Sequence, residues 1–113
     1  MSCYRTLSMS FEQGGLEMLE NKFKQKLVGE IKKLLPGSMV VHLDPNEIQG
    51  IPDLLVLYGF KWAALEGKKS AKESHRPNQD YYVEKMNENG FARFIFPENK
   101  DAVLEEMKDY FFK

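Results

Sequence analysis

Two carboxylates and a lysine stand at the ends of two neighbouring apolar segments. Asp53 lies near the start of IPDLLVLY, and Glu66 and Lys68 lie near the end of KWAALEGKK. Two hard oxygen ligands that leave room for water and phosphate suit Mg²⁺ better than Zn²⁺, and no cluster of Cys and His indicates zinc. The residue types therefore indicate a Mg²⁺ site beside a cationic side chain.

The two apolar segments are expected to pair as a β-hairpin. Gly59-Phe60 separates them, and Gly at the first central position favours a two-residue type II′ turn. In that register Asp53 faces Glu66, and because directly opposed carboxylates repel each other, a positive charge is expected between them. Lys68 points to the same face as Glu66, so we predict that its ammonium reaches this spot.

Two observations favour a functional site over a solvent-exposed salt-bridge ladder, which is the plain alternative for these residues. The acidic pair interrupts segments that are otherwise apolar enough for burial. In addition, Gly50 and Gly67 flank the pair, where missing side chains would let a phosphate backbone approach.

A first helix is predicted from about Gly15 to Leu35. Its apolar residues have the spacing of one buried stripe and are Leu16, Leu19, Phe23, Leu27, Ile31 and Leu34. Glu20 falls near the centre of that stripe, where a carboxylate needs a cation or hydrogen-bond donors. Glu30, nearer the edge, is the rival, and Glu17 is further off. The alternative for Glu20 and Glu30 is a side chain that bends out to water, which we prefer for Glu30.

The remaining elements complete the order αβββαβα. Pro36-Gly37 ends the first helix, and strands are predicted at 39–43, 51–58, 61–69 and 91–96. A second helix carries Pro77 in its first turn and ends at Asn89-Gly90, and Asn99 can cap the last helix. Because two strands are almost entirely apolar, we expect a sheet covered on both faces, or nearly so. Gln79 faces inward, either as a satisfied polar group or as a ligand for a phosphate or a backbone group near Lys68.

Composition indicates one intracellular domain spanning residues 1–113. The chain has 113 residues, 42% of them hydrophobic, and 16 basic residues against 17 acidic ones. That balance gives no overall positive field, so any nucleic-acid contact must come from a local basic patch. The lone Cys3, the absence of a signal-peptide pattern in the first fifteen residues, and the lack of a membrane-spanning run lead us to expect a cytoplasmic protein.

The motifs now assembled resemble the PD-(D/E)XK nuclease superfamily. The matching residues are Glu20, Pro52-Asp53 and Glu66-Gly67-Lys68. More narrowly, the motifs at 50–53, 65–68 and 77–79 look like the VRR-NUC type, including stand-alone versions carried by phages. The likeness runs from about Glu20 to Phe96, with one departure at Gly67, where relatives usually carry a larger apolar residue.

The resemblance implies a restriction-endonuclease-like core, an α/β fold with a mixed four-stranded sheet flanked by helices. It also implies phosphodiester hydrolysis with one or two Mg²⁺ or Mn²⁺ ions held by Asp53, Glu66 and the Gly67 carbonyl. Glu20 would contribute to the metal site directly or through water. Lys68 would orient or activate the attacking water, and Gln79 would support the site from the second helix.

Further implications concern DNA and partners. The basic segment after the site would contact DNA phosphates through Lys69, Lys72, His75 and Arg76, although a basic loop is often merely solvated. Relatives of this size work as homodimers, which would give paired cuts at branched DNA such as a Holliday junction, in a bacterial host if a phage carries the protein. The dimer interface would use Tyr110, Phe111 and Phe112, unless these residues simply close the core.

Three functions remain open on the sequence alone. The first is a structure-selective endonuclease on junctions or flaps, and the second is a restriction-like or nicking enzyme on ordinary duplex DNA. The third is a noncatalytic DNA-binding protein with the same fold. Asp53, Glu66 and Lys68 weigh against the third, because a binder has no use for carboxylates that repel each other and phosphate.

Overall fold

The computed structural model describes the backbone of residues 11–113 and the side chains of residues 19–113. Cys3 and the side chains of Leu16 and Glu17 lie outside the described residues. The elements are α1 (Phe11–Leu34), β1 (Met39–His42), β2 (Leu54–Tyr58), β3 (Lys61–Gly67), α2 (Gln79–Asn89), β4 (Phe91–Ile95) and α3 (Lys100–Phe111). Within this part of the chain, no helix combines the length and apolar character that a membrane span requires.

The four strands form one mixed sheet in the order β1-β2-β3-β4. The first three strands are antiparallel, and β4 pairs parallel to β3. The parallel pair needs a long crossover, which α2 supplies. The predicted order αβββαβα and the mixed four-stranded sheet flanked by helices are both confirmed.

The β2–β3 hairpin has the register expected from its turn. Tyr58 pairs with Lys61 and Leu54 pairs with Leu65. Gly59 has a φ of 66°, which the first central position of a type II′ turn requires. β2 begins at Leu54 rather than at residue 51, so Asp53 lies just before the strand at the open end of the hairpin.

The main core lies between the sheet and the helices α1 and α3. Its α1 side consists of Leu27, Ile31 and Leu35, which are fully buried. Side chains of β2, β3, β4 and α3 complete the same cluster. Among the α1 side chains that the structure describes, Leu19 is 60% exposed, so it is not part of the buried stripe that the sequence predicts.

The other face of the sheet is covered by α2, which packs on β3 and β4. Residues 63–67 of β3 are consequently buried on both faces, as predicted. At the β1 edge the cover is less complete than on β3, because Met39 and Leu57 remain 60% and 38% exposed.

The starts of α2 and α3 differ from the predictions. Pro77 lies before α2 rather than in its first turn, because Asn78 occupies the N-cap position in the left-handed conformation, with φ 73°. Asn99 stands at the N-cap of α3 without a side-chain capping bond. Its Oδ1 instead accepts from the Phe96 N–H at 2.9 Å, and its Nδ2 donates to the Phe94 carbonyl at 3.1 Å. Asn99 thus stabilises the loop after β4 rather than the helix.

The aromatic residues at the end of α3 divide into two groups. Phe111 is buried in the core, and the Tyr110 hydroxyl donates to the Trp62 carbonyl at 3.0 Å. Phe112 is 58% exposed and touches the Tyr58 ring edge-on. Two of the three aromatics therefore close the core, and Phe112 alone among them is open to a partner.

Candidate active site

The loop before β2 is held in place at Pro52 and at the Asp53 backbone. Pro52 is fully buried, and the Leu43 N–H donates to the Asp53 carbonyl at 2.8 Å. Gly50 has a φ of 94°, and a Cβ added there would lie 2.6 Å from the Asn78 Cβ. The expectation that Gly50 opens a path for phosphate is therefore wrong, because Asn78 fills that space. Close packing of this loop on the start of α2 brings Asp53 toward the α2 side chains.

The Asp53 carboxylate joins the hairpin to the first helix. Its Oδ2 accepts from the Gly67 N–H at 2.9 Å and lies 3.1 Å from the Lys24 ammonium. The bond to Gly67 fixes the carboxylate beside the end of β3, next to Glu66. The two acidic residues therefore lie together at the open end of the hairpin.

Glu66 is a buried carboxyl group whose ionised form is only partly compensated by nearby positive charges. Its side chain is 4% exposed, and its Oε2 accepts from the Gln79 Nε2 at 3.2 Å. Burial first, and then the negative charge of Asp53, raise the pKa of Glu66 to about 8, against the opposing charges of Lys68 and Lys24. Its Oε1 is buried and has no hydrogen-bond partner among residues 19–113. Such an oxygen requires a proton or a cation.

These oxygen atoms fit a hard divalent cation. In the described part of the chain, no set of three or more His, Cys, Asp and Glu side chains is arranged to hold a metal unaided. Mg²⁺ accepts such a site, because it usually keeps several waters and binds through one or two carboxylates plus substrate phosphates. Asp53 and Glu66 would supply those carboxylates, and the Gly67 carbonyl is the predicted further ligand.

Lys68 lies at the site but not where the hairpin geometry predicted. Its side chain is buried, and its Nζ donates to the Gln79 Oε1 at 2.7 Å and to the Ser74 carbonyl at 3.2 Å. The carboxylate paired with it is Glu73, at 4.0 Å. The prediction that Lys68 bridges Asp53 and Glu66 is therefore wrong, because acceptors from α2 and the loop before it hold the ammonium.

Gln79 faces inward, as its helical spacing predicts, and is buried. Its Oε1 accepts from both the Lys68 ammonium and the Arg76 N–H, each at 2.7 Å. Its Nε2 donates to Glu66. One amide thus sets the positions of the acidic and basic side chains relative to each other.

Lys24 is the residue of this site that the sequence interpretation missed. Its Nζ lies 3.1 Å from both the Glu20 Oε2 and the Asp53 Oδ2. A Cβ on Gly67 would lie 3.1 Å from the Lys24 Cε, so the lysine fills the space that was expected to admit phosphate. Its spacing of four residues from Glu20 was the available signal, because such residues are neighbours on a helix.

The two rival glutamates of α1 have different environments. Glu20 is linked to Asp53 through Lys24 and is 26% exposed. Glu30 pairs with Lys100 at 3.0 Å and so ties α1 to α3. Of these two glutamates, Glu20 is therefore the one that lies in the site.

The basic segment after Lys68 is partly neutralised by acidic side chains. Glu73 accepts from the Lys69 N–H at 2.7 Å and lies 4.0 Å from its ammonium. His75 lies 2.7 Å from the Asp80 carboxylate and stacks on Phe94. The other two predicted DNA-contact residues are exposed at the surface, namely Lys72 and Arg76.

The buried carboxyl predicts a particular pH dependence of stability in the absence of divalent metal. The pKa of Glu66 rises from about 4.5 to about 8 on folding. The contribution of Glu66 to the free energy of unfolding is therefore fully present below pH 4.5 and is lost as the pH rises through 8. The change in the free energy of unfolding that Glu66→Gln causes should therefore be more stabilising at pH 9 than at pH 5, by roughly 1–3 kcal/mol. Denaturant unfolding at both pH values measures this difference.

The matched control is Glu88→Gln, which makes the same change at a side chain that is 62% exposed. Parallel pH profiles for wild type and Glu66→Gln would contradict the assigned burial of Glu66.

Comparisons with known proteins give one structural similarity. No protein-family model matches the sequence, and no curated protein sequence matches it significantly. The chain is similar in structure to Hjc, a Holliday junction resolvase of the archaeal hyperthermophile Archaeoglobus fulgidus. The TM-score is 0.47 and the sequence identity 14%, with 67% of each chain covered.

Proposed function

We propose that residues 1–113 form one nuclease domain of the PD-(D/E)XK class, VRR-NUC type, which hydrolyses DNA phosphodiester bonds with Mg²⁺ or Mn²⁺. The observation that carries the proposal is the buried Glu66 Oε1, which has no donor among residues 19–113 and lies beside Asp53 at the hairpin end. A purely structural carboxyl group would be hydrogen-bonded or turned to water, because a buried polar oxygen without a partner is costly. A divalent cation held by Asp53 and Glu66 would remove that cost.

Each residue of the site has a distinct role in this proposal. Asp53, Glu66 and the Gly67 carbonyl would hold the metal, and a bound metal would supply Lewis-acid chemistry for the scissile phosphate and the attacking water. Lys68, held by Gln79 and the Ser74 carbonyl, presents its ammonium to that water and to the charge that develops on the phosphate oxygens. Gln79 is a positioning residue.

DNA would be held by the surface beside this site. The exposed Lys72 and Arg76 offer positive charge to phosphates, and Lys69 and His75 belong to the same segment. Phosphate contacts of this kind set the position of the duplex without reading its sequence. Since the formal net charge of the chain is −1, binding would depend on this patch and weaken steeply with salt.

The proposed substrate is branched DNA, such as a Holliday junction or a flap, cut by a homodimer with two active sites. The support is the VRR-NUC resemblance of the motifs at 50–53, 65–68 and 77–79. The exposed Phe112 is a candidate contact between the subunits. The enzyme would act in the cytoplasm, which is that of a bacterial host if a phage carries it.

A cleavage assay on three substrates tests this function. The protein is incubated with Mg²⁺ or Mn²⁺ and end-labelled four-way junction, flap and linear duplex of the same sequence. We expect incision of the branched substrates and an intact linear duplex. Equal cutting of all three would instead indicate a restriction-like or nicking enzyme. Binding without any incision in either metal would overturn the proposal in favour of a noncatalytic DNA-binding protein.

A further inference from the structure

A cation that belongs to the protein already occupies the acidic cluster. The Lys24 ammonium lies 3.1 Å from Asp53 and 3.1 Å from Glu20, and only 19% of its side chain is exposed. The charge of Lys24 also opposes the raised pKa of Glu66, so its field extends to both predicted metal ligands. Its position is therefore inside the site rather than on the surrounding surface.

The ammonium and a divalent metal cannot share Asp53 without cost. Two positive charges a few ångströms apart repel strongly where the surroundings are only partly solvated. The Asp53 Oδ2 also accepts from the Gly67 N–H at 2.9 Å, so two donors already use this oxygen. Repulsion between the two cations would therefore weaken the contact of Lys24 with Asp53 when a metal binds this carboxylate.

The structure provides a second partner for a displaced Lys24. Glu20 lies one helical turn earlier and contacts the same ammonium, so Lys24 can leave Asp53 and remain paired. Gly67 gives the lysine its present position, since a Cβ there would come within 3.1 Å of Cε and 3.2 Å of Cγ of Lys24. The missing side chain of Gly67, the middle residue of Glu66-Gly67-Lys68, thus leaves the space that the Lys24 side chain occupies.

We propose that Lys24 competes with the divalent metal for Asp53. Without metal it neutralises Asp53, and with metal it pairs with Glu20 alone. Glu20 then acts as the alternative partner of Lys24 rather than as a metal ligand. This inference rests on the proposed metal site, and its test measures metal binding rather than cleavage.

Calorimetric titration of Mn²⁺ into the DNA-free protein tests the competition. Lys24→Met should lower the Kd for Mn²⁺ about tenfold, because one positive charge next to the site is removed. The matched control is Lys26→Met, which makes the same change at an exposed position of the same helix and should alter Kd less than about twofold, because exposed charges are screened. Lys24→Gln is a second variant for the same measurement of Kd. Thermal unfolding of each variant shows that it is folded.

A double-mutant cycle separates the two roles of Glu20. If Glu20 acts through Lys24, Glu20→Gln weakens Mn²⁺ binding in the wild type and has no effect in the Lys24→Met background. Equal weakening in both backgrounds would make Glu20 a direct ligand and overturn this inference. An unchanged or higher Kd in both Lys24 variants would overturn it while leaving the metal site intact. Failure of the wild type to bind Mn²⁺ would overturn the proposed function as well.

Discussion

Replacement of Asp53 by asparagine is expected to lower the cleavage rate at least about 10³-fold, since loss of a metal ligand removes several kcal/mol of transition-state stabilisation. The substitution keeps the size of the side chain, and its amide oxygen can still accept from the Gly67 N–H. The fold should therefore be retained while the affinity for Mn²⁺ falls. Single-turnover cleavage of a labelled junction and Mn²⁺ titration measure the two effects.

Asp101→Asn is the matched control for this prediction, because it removes the same charge from a side chain that is 96% exposed. Its cleavage rate should stay within about twofold of wild type, since exposed charges far from the site are screened. Cleavage by Asp53→Asn at the rate of this control would exclude Asp53 from the reaction.

Replacement of Lys68 by methionine is expected to lower the cleavage rate about 10²–10³-fold, because the charge on the phosphate oxygens loses its cationic partner. Affinity for Mn²⁺ should be equal or higher, because a positive charge near the metal is lost. The variant should also lose about 1–3 kcal/mol of stability, since Gln79 and the Ser74 carbonyl each lose a buried donor. Mn²⁺ affinity should thus fall in Asp53→Asn but not in Lys68→Met, which distinguishes the roles of the two residues.

The control for Lys68 is Lys85→Met, in which an exposed α2 lysine undergoes the same change. It should leave cleavage, Mn²⁺ affinity and stability close to those of the wild type. If Lys68→Met cleaved DNA as this control does, the ammonium would have only a structural role.

The hairpin shows what the sequence can predict well. Gly59 has to adopt a positive φ, and this turn fixes the pairing of Tyr58 with Lys61 and of Leu54 with Leu65. Side-chain alternation then places Glu66 and Lys68 on one face of the sheet. These features depend on local turn chemistry and periodicity, which adjacent residues carry.

Several charged side chains of the site contact residues that are far from them in the sequence. The spacing of residues along one element does not predict such contacts. Whether Lys68 or Lys24 neutralises Asp53 is decided by how α1 and α2 dock on the sheet. The same reason applies to Gly50, whose neighbour Asn78 lies 28 positions later. The sequence thus indicated the acidic pair, and the fold determined which cation stands beside it.

The acidic pair is expected to cost stability in the metal-free protein. Burial and the charge of Asp53 both disfavour the ionised form of Glu66. The surrounding strand residues are otherwise apolar and form part of the core. Functional sites often retain such locally unfavourable arrangements, and replacing them raises stability at the expense of activity. Mn²⁺ should therefore raise the melting temperature of the wild type, because a ligand that binds only the folded state stabilises it.

A divalent ion is expected to bind both Asp53 and Glu66. Diffraction from crystals grown with Mn²⁺, recorded near the manganese absorption edge, locates the ion directly. We expect an anomalous peak within coordination distance of an Asp53 oxygen and of Glu66 Oε1, with Lys24 moved away from Asp53. An Mn²⁺ peak elsewhere, with Lys24 still on Asp53 and Glu66 still without a cation, would contradict this expectation.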